Sequence, residues 1–406
     1  MAFKNASLKD YFMLKRETFS LDPFRDKDVY FGDSALATRI TRRIQGDFVA
    51  RGVPKFFVHG YYGSGKTHTL LHIAHLLETP PFAEMYPTEP IYLDIAPLTI
   101  KEQWKKIHGR FLDAIGLDRI GEAIEKAAEP IQGLNKAEGF RETGAVPFGD
   151  EALKVSQSEI FRVLLFSGGQ LRQKSWEWMK GRKLSDREAG DIGTQKQLSE
   201  PQDFVNCLLN LGAMFQMGTG KKIVLLVDEA EAFTTVTNVD SIKEIKHAFR
   251  MLLENGNSVI GLVLATQVEG GLEEMGELFT DDDIQRRVGY EHGYIDLNTL
   301  LLGVNKGGEF VKKTLRYLVD QDMAAKVIED EDLATDSTMF PFTEDAIEFI
   351  ETTVRDNPDR ALPSAILSVM SNSAIDAWHT REENSGHVLV DEALVDGAFN
   401  PGEPGA

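Results

Sequence analysis

Residues 56–77 read FFVHGYYGSGKTHTLLHIAHLL, and this stretch decides which fold the chain can adopt. Its first part is a short apolar run that predicts a buried strand. Its last part repeats apolar residues at helical spacing. Between the two lies a turn that fits the pattern G-x-x-x-x-G-K-[S/T]. A strand, a glycine-rich turn and a helix in this order are typical of a loop whose backbone N–H groups surround a phosphate at a helix N-terminus.

The turn is a Walker A motif. The motif and the residue that follows it are the candidate phosphate-binding residues: Gly60, Tyr61, Tyr62, Gly63, Ser64, Gly65, Lys66, Thr67 and His68. Lys66 would neutralise charge on the β- and γ-phosphates, and the Thr67 hydroxyl would bind Mg²⁺. Tyr61 and Tyr62 need not touch phosphate, and we expect them to pack. The alternative, a glycine-rich turn that carries a lysine by chance, leaves the threonine unexplained.

A second motif, KKIVLLVDEAEAF at residues 221–233, has the Walker B arrangement of an apolar run followed by two acidic residues. Asp228 would hold Mg²⁺ through water at the tip of this strand. Glu229 would accept a proton from the attacking water. Glu231 is expected to be an ordinary solvated residue. The alternative is that acidic residues simply follow a buried strand where the chain returns to solvent.

Two further positions carry polar side chains that could contact a bound nucleotide or the attacking water. The apolar run 258–267 ends in Thr266 and Gln267, and either side chain could orient water or detect a γ-phosphate. Arg286 and Arg287 precede the last apolar run, where one arginine could reach a neighbouring subunit's nucleotide. The alternatives are a strand end capped by polar residues and a surface arginine pair that balances the three aspartates at 281–283.

Five short apolar runs, rich in Val, Ile and Leu and separated mostly by helical patterns, predict one parallel sheet. They are residues 55–59, 91–95, 223–229, 258–267 and 293–297. The segment 33–51 predicts an amphipathic helix before the first run. The gap between the second and third runs far exceeds the ~30 residues of an ordinary strand–helix–strand unit.

This gap predicts a helical insertion at about 98–218, with helical segments near 99–128, 151–180 and 201–217 and a loop at 130–149. Helical patterns at 307–328, 343–355 and 362–380 follow the last strand. We therefore expect an N-terminal segment at 1–32, an α/β core at 33–298 and a helical lid at 299–400.

The composition limits the class of protein. The chain has 406 residues, 42% of them hydrophobic, which suffices for a real core. Cys207 is its single cysteine and excludes an intrachain disulfide or a cysteine zinc cluster. No apolar run approaches the ~20 residues that span a bilayer, so we expect a soluble, cytoplasmic protein without membrane contact. The net charge of −20 disfavours nucleic acid except at a locally basic surface.

Together, the two Walker motifs, the polar tip of strand four, the arginines before strand five and the helical C-terminal region resemble the AAA+ P-loop ATPases. The chain looks most similar to their prokaryotic origin-recognition-complex-like group. The segment 176–193, WEWMKGRKLSDREAGDIG, is loosely similar to ATP-binding proteins of BREX-type phage defence. The resemblance implies a sheet order of 5-1-4-3-2, ATP and Mg²⁺ as ligands, and ATP bound between the subunits of a ring or filament.

The resemblance also implies a second sensor arginine at the start of a lid helix. The matching stretch is DNPDRALPSAIL at 356–367, in which Asp359 stands at the usual arginine position and Arg360 follows it. One residue along a helix is ~100° of rotation, so the match leaves open whether Arg360 reaches the nucleotide.

The function that these features predict is an ATP-driven switch that assembles through its nucleotide sites and recruits or licenses a partner protein. A DNA-acting effector in phage defence or mobile-element control would suit it. DNA could also contact the assembled oligomer through Lys180, Arg182 and Lys183, beside Trp176 and Trp178. The alternatives are a solvated basic turn and tryptophans that only pack the insertion. The alternatives are a protein-remodelling motor, which lacks its aromatic pore loop here, and a nucleotide-binding scaffold with little hydrolysis.

Overall fold

The structure is a computed structural model, and it describes most of the chain. The described residues are 6–95, 103–128, 169–191, 197–198, 200–233, 239–254, 258–267, 276–289, 293–298, 306–357, 360–380 and 386–400. The predicted loop at 130–149, the first part of the predicted helix at 151–180, and Asp359 lie outside these residues.

The sheet has five parallel strands, as predicted. They are β1 (Lys55–Gly60), β2 (Thr88–Asp94), β3 (Lys222–Asp228), β4 (Ile260–Gln267) and β5 (Tyr294–Asp296). Their order is β2-β3-β4-β1-β5, which confirms the predicted order 5-1-4-3-2 read from the other edge. In the β2–β3 register Asp94 lies opposite Asp228. The insertion therefore separates, along the chain, two strands that are neighbours in the sheet.

Burial along the strands follows their place in the sheet. All six residues of β1 are buried, and β3 and β4 are buried over almost their whole length. In β2, at one edge of the sheet, buried residues are interspersed with partly exposed ones. A strand covered by helices on both faces needs a continuous apolar sequence, whereas an edge strand does not. This is why β1, β3 and β4 stand out so clearly in the sequence.

Along the chain, helices precede, separate and follow the strands. Before and between the first strands are α1 (Leu8–Tyr11), α2 (Ser34–Arg51), α3 (Lys66–Glu78) and α4 (Phe82–Met85). The insertion contains α5 (Gln103–Ile115), α6 (Leu117–Ala128), α7 (Gly169–Met179), α8 (Asp186–Asp191) and α9 (Pro201–Thr219). Between β3 and β5 are α10 (Val239–Leu253), α11 (Gly276–Phe279) and α12 (Asp282–Val288). The C-terminal region has α13 (Lys306–Leu318), α14 (Gln321–Glu331), α15 (Glu344–Asp356), α16 (Pro363–Thr380) and α17 (Glu392–Phe399).

Two predicted helices are interrupted. The segment predicted near 99–128 breaks between α5 and α6 at Gly116, whose φ of 83° lies in the left-handed region. The segment 307–328 breaks between α13 and α14, because the Asp320 side chain accepts a hydrogen bond from the Met323 N–H and starts a new helix there. Helical periodicity runs across both breaks, so spacing alone does not reveal them.

The chain divides into two compact units. The first unit comprises Met1–Arg39, Gly60–Thr69 and Asp296–Ala406, and the second comprises Ile40–His59 and Leu70–Ile295. The predicted domain boundaries at 32/33 and 298/299 stay predictions. The second unit holds one continuous hydrophobic core, in which side chains of the strands pack against α5, α6, α9 and α10.

In the first unit the N-terminal segment is fastened to the C-terminal helices. The Tyr11 hydroxyl accepts a hydrogen bond from Val388 N at 2.7 Å. Leu14 forms an antiparallel bridge with Val319. Asp26 forms an ion pair with Arg16 and accepts a hydrogen bond from another side chain, the Tyr317 hydroxyl. In the part of the chain that the structure describes, no helix has the length and apolar character needed to cross a bilayer.

Candidate functional site

The loop that carries the Walker A pattern belongs to the first unit and contains two glycines with left-handed backbone. Gly63 and Gly65 have φ values of 79° and 92°, which residues other than glycine rarely adopt. No described atom lies within 4 Å of the position that a Cβ on Gly65 would take. Helix α3 begins at Lys66, and the first N–H groups of a helix have no acceptor within that helix. The loop thus offers glycine-lined space beside a positive helix end.

The Lys66 ammonium is held at this loop. It donates to the carbonyl oxygens of Gly60 and Tyr61, each at 2.9 Å. The Ser64 hydroxyl is buried and has no hydrogen-bond partner among the described residues. A Cβ on Gly60 would lie 2.4 Å from the Ser64 hydroxyl, so a larger residue there would displace this side chain. A phosphate is a ligand that a lysine ammonium and an unpaired hydroxyl can both bind.

The two tyrosines of the loop differ from the expected packing role. The Tyr61 N–H donates to Asn298 Oδ1 at 2.6 Å, which fixes the backbone, but the Tyr61 ring is exposed. The Tyr62 side chain is 81% exposed and does not pack. The expectation was wrong for Tyr62, because neighbours that would cover a ring at this turn are missing among the described residues.

His68, in the first turn of α3, is bound by the N-terminal segment. Its Nε2 lies 3.2 Å from the Asp26 carbonyl oxygen. Its ring stacks on Tyr30 with centroids 6.1 Å apart and lies 5.6 Å from Phe31. Burial lowers the pKa of His68, so the ring is neutral at physiological pH. The side chain therefore anchors the start of α3.

The Walker B aspartate lies in the second unit at the end of β3. Asp228 is 4% exposed, and both of its carboxylate oxygens have donors. The Tyr92 hydroxyl donates to Oδ2 and the Glu229 N–H donates to Oδ1, both at 3.0 Å. Burial and the neighbouring Asp228 raise the pKa of Tyr92, so its hydroxyl keeps its proton as a donor. Tyr92 is not among the residues predicted for the site, because only the pairing of β2 with β3 brings it to Asp228.

Glu229 projects from a strained turn among other carboxylates. Its φ of 54° is in the left-handed region. Burial raises the pKa of Glu229, and the neighbouring Asp94, Glu231 and Asp228 raise it further. A general base works best when its pKa approaches the operating pH, so this environment moves Glu229 in the useful direction.

Glu231 is not the ordinary solvated residue that we expected. Its Oε2 accepts a hydrogen bond from the Gln267 N–H at 2.9 Å, which ties the tip of β4 to the turn after β3. Thr266 is buried, and its hydroxyl lies 3.4 Å from the Gln267 carbonyl oxygen. β4 does lie between the strands that carry the two Walker motifs, as the role predicted for Thr266 and Gln267 requires.

The two arginines that could reach a neighbouring subunit's nucleotide lie near the C-terminal end of α12. The Arg286 side chain is 62% exposed and pairs with Asp283 at 3.0 Å. The Arg287 side chain is 21% exposed and donates to the Asp283 carbonyl oxygen at 2.9 Å. Both arginines thus balance an aspartate of their own helix, as the surface alternative stated. Arg286 is the better exposed of the two.

Arg360, the candidate second sensor, has partners of its own. Arg360 donates to Asn400 Oδ1 at 2.9 Å and lies over the Phe399 ring. The contact from the lid to the loop comes instead from α16, where the Ser364 N–H donates to the Gly63 carbonyl oxygen at 3.4 Å. These contacts are all within the first unit.

The basic turn of the insertion is largely neutralised. Lys180 pairs with Asp113 at 2.6 Å, and Arg182 pairs with Glu188 at 3.6 Å. Trp176 and Trp178 are buried in the core of the second unit, which is the alternative considered for them. Lys183 is exposed.

Within the described residues, no three His, Cys, Asp or Glu side chains are grouped to hold a metal ion by themselves. The oxygen donors Thr67 and Asp228 suit Mg²⁺, which usually takes one or two protein ligands together with phosphate and water. Comparison of the sequence with protein-family models and with curated proteins found no match. The candidate residues therefore form two groups, each described within its own unit: a glycine loop with a lysine after β1, and a tethered aspartate with a neighbouring glutamate after β3.

Proposed function

We propose that the chain binds ATP with Mg²⁺ and hydrolyses it in the manner of an AAA+ ATPase. The observation that carries the proposal is the strand order. The Walker A loop follows β1, Asp228 and Glu229 follow each other at the end of β3, and β4 separates these strands. Parallel strands place their carboxyl ends along one edge of a sheet, and open α/β sheets bind their ligands at that edge.

Each residue has a role that its surroundings support. Lys66 offsets phosphate charge, and the N–H groups at the start of α3 bind phosphate oxygens. Thr67 and Asp228 would hold Mg²⁺, which supplies charge neutralisation at the β- and γ-phosphates. Tyr92 keeps Asp228 in one orientation. Glu229 takes the proton of the attacking water, and its raised pKa favours this step.

The biological role that we propose is a switch. ATP at the subunit interface would assemble a homo-oligomer, with Arg286 or Arg287 reaching the neighbouring nucleotide, and the oligomer would recruit an effector protein. The adjacent Asp228 and Glu229 favour hydrolysis over a passive scaffold. Ion pairs at Lys180 and Arg182 favour a protein partner over DNA, because a paired cation gains less from a phosphate contact.

Calorimetric titration with ATP and Mg²⁺ tests the binding step. Lys66→Ala should weaken binding at least tenfold, about 1.4 kcal/mol, because the backbone N–H groups alone do not balance the phosphate charge. Lys326→Ala, on the exposed surface of α14, is the matched control and should bind as the unaltered protein does. Circular dichroism of each variant separates loss of binding from loss of folding. Equal affinity of a folded Lys66→Ala variant would remove the phosphate-loop assignment.

A further inference from the structure

The first unit contains a buried ion pair that the ATPase proposal does not use. Asp26 is fully buried, and its carboxylate forms an ion pair with Arg16. The Tyr317 hydroxyl of α13 donates to Asp26 Oδ1 at 3.0 Å, and the Asp22 N–H donates to Oδ2 at 2.7 Å. A buried carboxylate with donors on both oxygens is fixed in place, because the loss of a donor leaves part of a buried charge unsatisfied. Asp26 therefore attaches the N-terminal segment to α13.

The backbone of Asp26 continues this connection to the phosphate loop. Its carbonyl oxygen lies 3.2 Å from Nε2 of His68, which directly follows Thr67 in the first turn of α3. A carbonyl oxygen can only accept, so Nε2 carries a proton and donates it to this hydrogen bond. Asp26 thus binds α13 with its side chain and the first turn of α3 with its backbone.

Aromatic contacts accompany this hydrogen-bonded route. The Phe31 ring lies edge-on to the Tyr317 ring at 5.3 Å, and it lies 5.6 Å from the His68 ring. The Tyr30 ring stacks on His68, and the Tyr30 carbonyl oxygen accepts a hydrogen bond from the Lys313 ammonium of α13. Both Tyr30 and Phe31 are buried. This part of the N-terminal segment therefore contacts α13 as well as the first turn of α3.

The turn of α3 that these contacts hold is the one that the proposed site uses. Lys66 and Thr67 directly precede His68, and in the proposed site they bind phosphate and Mg²⁺. Binding groups need support from residues outside the site, whose packing and hydrogen bonds keep them close to the productive geometry. A loop that is already in its binding conformation also binds more tightly, because the ligand does not have to order it. The contacts at His68 therefore bear on the affinity of the loop for ATP.

We propose that Tyr317 and Asp26 are positioning residues for the phosphate loop and act through His68. Held in this way, the first turn of α3 presents Lys66 and Thr67 to ATP in a fixed geometry. This inference rests on the ATP binding proposed above, and it adds that α13, in the C-terminal region, contributes to the affinity for ATP. Because Tyr317 acts through other residues, its hydroxyl need not touch the nucleotide.

The test compares the ATP affinity of two Tyr→Phe variants by calorimetric titration with ATP and Mg²⁺, after circular dichroism has shown that each variant is folded. Tyr317→Phe removes the hydroxyl from Asp26 and keeps the ring beside Phe31. We expect this variant to bind ATP at least about threefold more weakly, because the lost hydrogen bond is made to a charged group that supports His68.

Tyr11→Phe is the matched control. The Tyr11 hydroxyl also joins the N-terminal segment to the C-terminal region, by accepting from Val388 N at 2.7 Å and donating to the Gly386 carbonyl oxygen at 3.2 Å. Tyr11→Phe should bind ATP as the unaltered protein does. If Tyr317 only stabilised the fold, both variants would lose stability and neither would lose affinity for ATP.

His68→Ala supplies the second arm, because it removes the residue through which Tyr317 is proposed to act. It should weaken ATP binding by itself, and the addition of Tyr317→Phe should weaken it no further, whereas independent residues would give additive losses. If His68→Ala does not fold, the comparison of the two Tyr→Phe variants decides alone.

The outcomes separate this inference from the proposed function. ATP binding by the unaltered protein with the same affinity in folded Tyr317→Phe would overturn the inference and leave the proposed function standing. Equal losses of affinity in Tyr317→Phe and Tyr11→Phe, or additive losses in the double variant, would overturn the inference as well. Absence of ATP binding by the unaltered protein would overturn the proposed function and the inference with it.

Discussion

At the residue scale, neighbouring donors hold the Asp228 carboxylate in place. Donors occupy both of its oxygens: the Tyr92 hydroxyl on one side and the Glu229 N–H on the other. A buried carboxylate with two donors has one orientation, so it can present its remaining lone pairs to a Mg²⁺-bound water without further ordering. Tyr92 is thus a positioning residue of the proposed site, acting through Asp228.

Tyr92→Phe should raise the Mg²⁺ concentration for half-maximal ATP hydrolysis by about tenfold, since a hydrogen bond to a charged group contributes about 1.5–3 kcal/mol. Phosphate release measured over a Mg²⁺ series gives this value. Tyr294→Phe removes a hydroxyl that donates to the Phe279 carbonyl oxygen at 2.7 Å and serves as the matched control. An unaltered Mg²⁺ dependence in Tyr92→Phe would show that Tyr92 is only a packing residue.

At the scale of elements, α6 and α9 of the insertion pack closely at Gly218. A Cβ on Gly218 would overlap the carbonyl oxygen of Ala123 and lie 2.6 Å from its carbonyl carbon. These are backbone atoms, so the helices would have to separate. Gly218→Ala should therefore lower the free energy of unfolding by at least about 1 kcal/mol, although alanine favours a helix. Chemical denaturation followed by circular dichroism measures the change.

Gly190 in α8 offers the matched control for this packing prediction. A Cβ there would meet no described atom within 4 Å. Gly190→Ala should be neutral or stabilise the protein by up to about 1 kcal/mol, because alanine loses less backbone freedom on folding. If Gly218→Ala were as stable as Gly190→Ala, the close packing of α6 on α9 would be contradicted.

The sheet was predictable because its strands are short, continuous apolar runs, and the order came from the family resemblance of the motifs. The hydrogen bonds that Tyr92 and Glu231 form with residues of neighbouring strands were not predictable. Glu231 looked solvated because nothing in its local sequence indicates that it accepts the Gln267 N–H. Tyr92 was hidden for the same reason, since its partner Asp228 is far away in the chain. The helix break at Gly116 depends on a left-handed φ that helical spacing does not encode.

At the scale of the whole molecule, the net charge of −20 and the ion pairs of Lys180 and Arg182 favour a protein partner. The oligomer that we propose makes a separate prediction about Arg286 and Arg287. If either acts on a neighbouring subunit's nucleotide, each defective subunit can supply what the other lacks. Mixing Lys66→Ala protein with a double variant, Arg286→Ala with Arg287→Ala, should therefore give more phosphate release than the sum of the two alone.

The control for the mixing experiment is each variant at the total protein concentration of the mixture. Activity of the mixture that equals the average of these controls would place the arginines on the surface or within their own subunit's site. That outcome would agree with the pairing of Arg286 and Arg287 with Asp283 in α12. It would leave the ATPase proposal intact, since that proposal does not depend on these arginines.

The central claim is that the chain hydrolyses ATP with Glu229 as the base, and phosphate release from ATP and Mg²⁺ tests it most directly. The account predicts steady release by the unaltered protein and release lowered by about a hundredfold or more in Glu229→Gln. Calorimetry should show that this variant still binds ATP, and Glu348→Gln should release phosphate at the unaltered rate. Release by the unaltered protein no faster than ATP alone, or an unaltered rate in Glu229→Gln, would contradict the account.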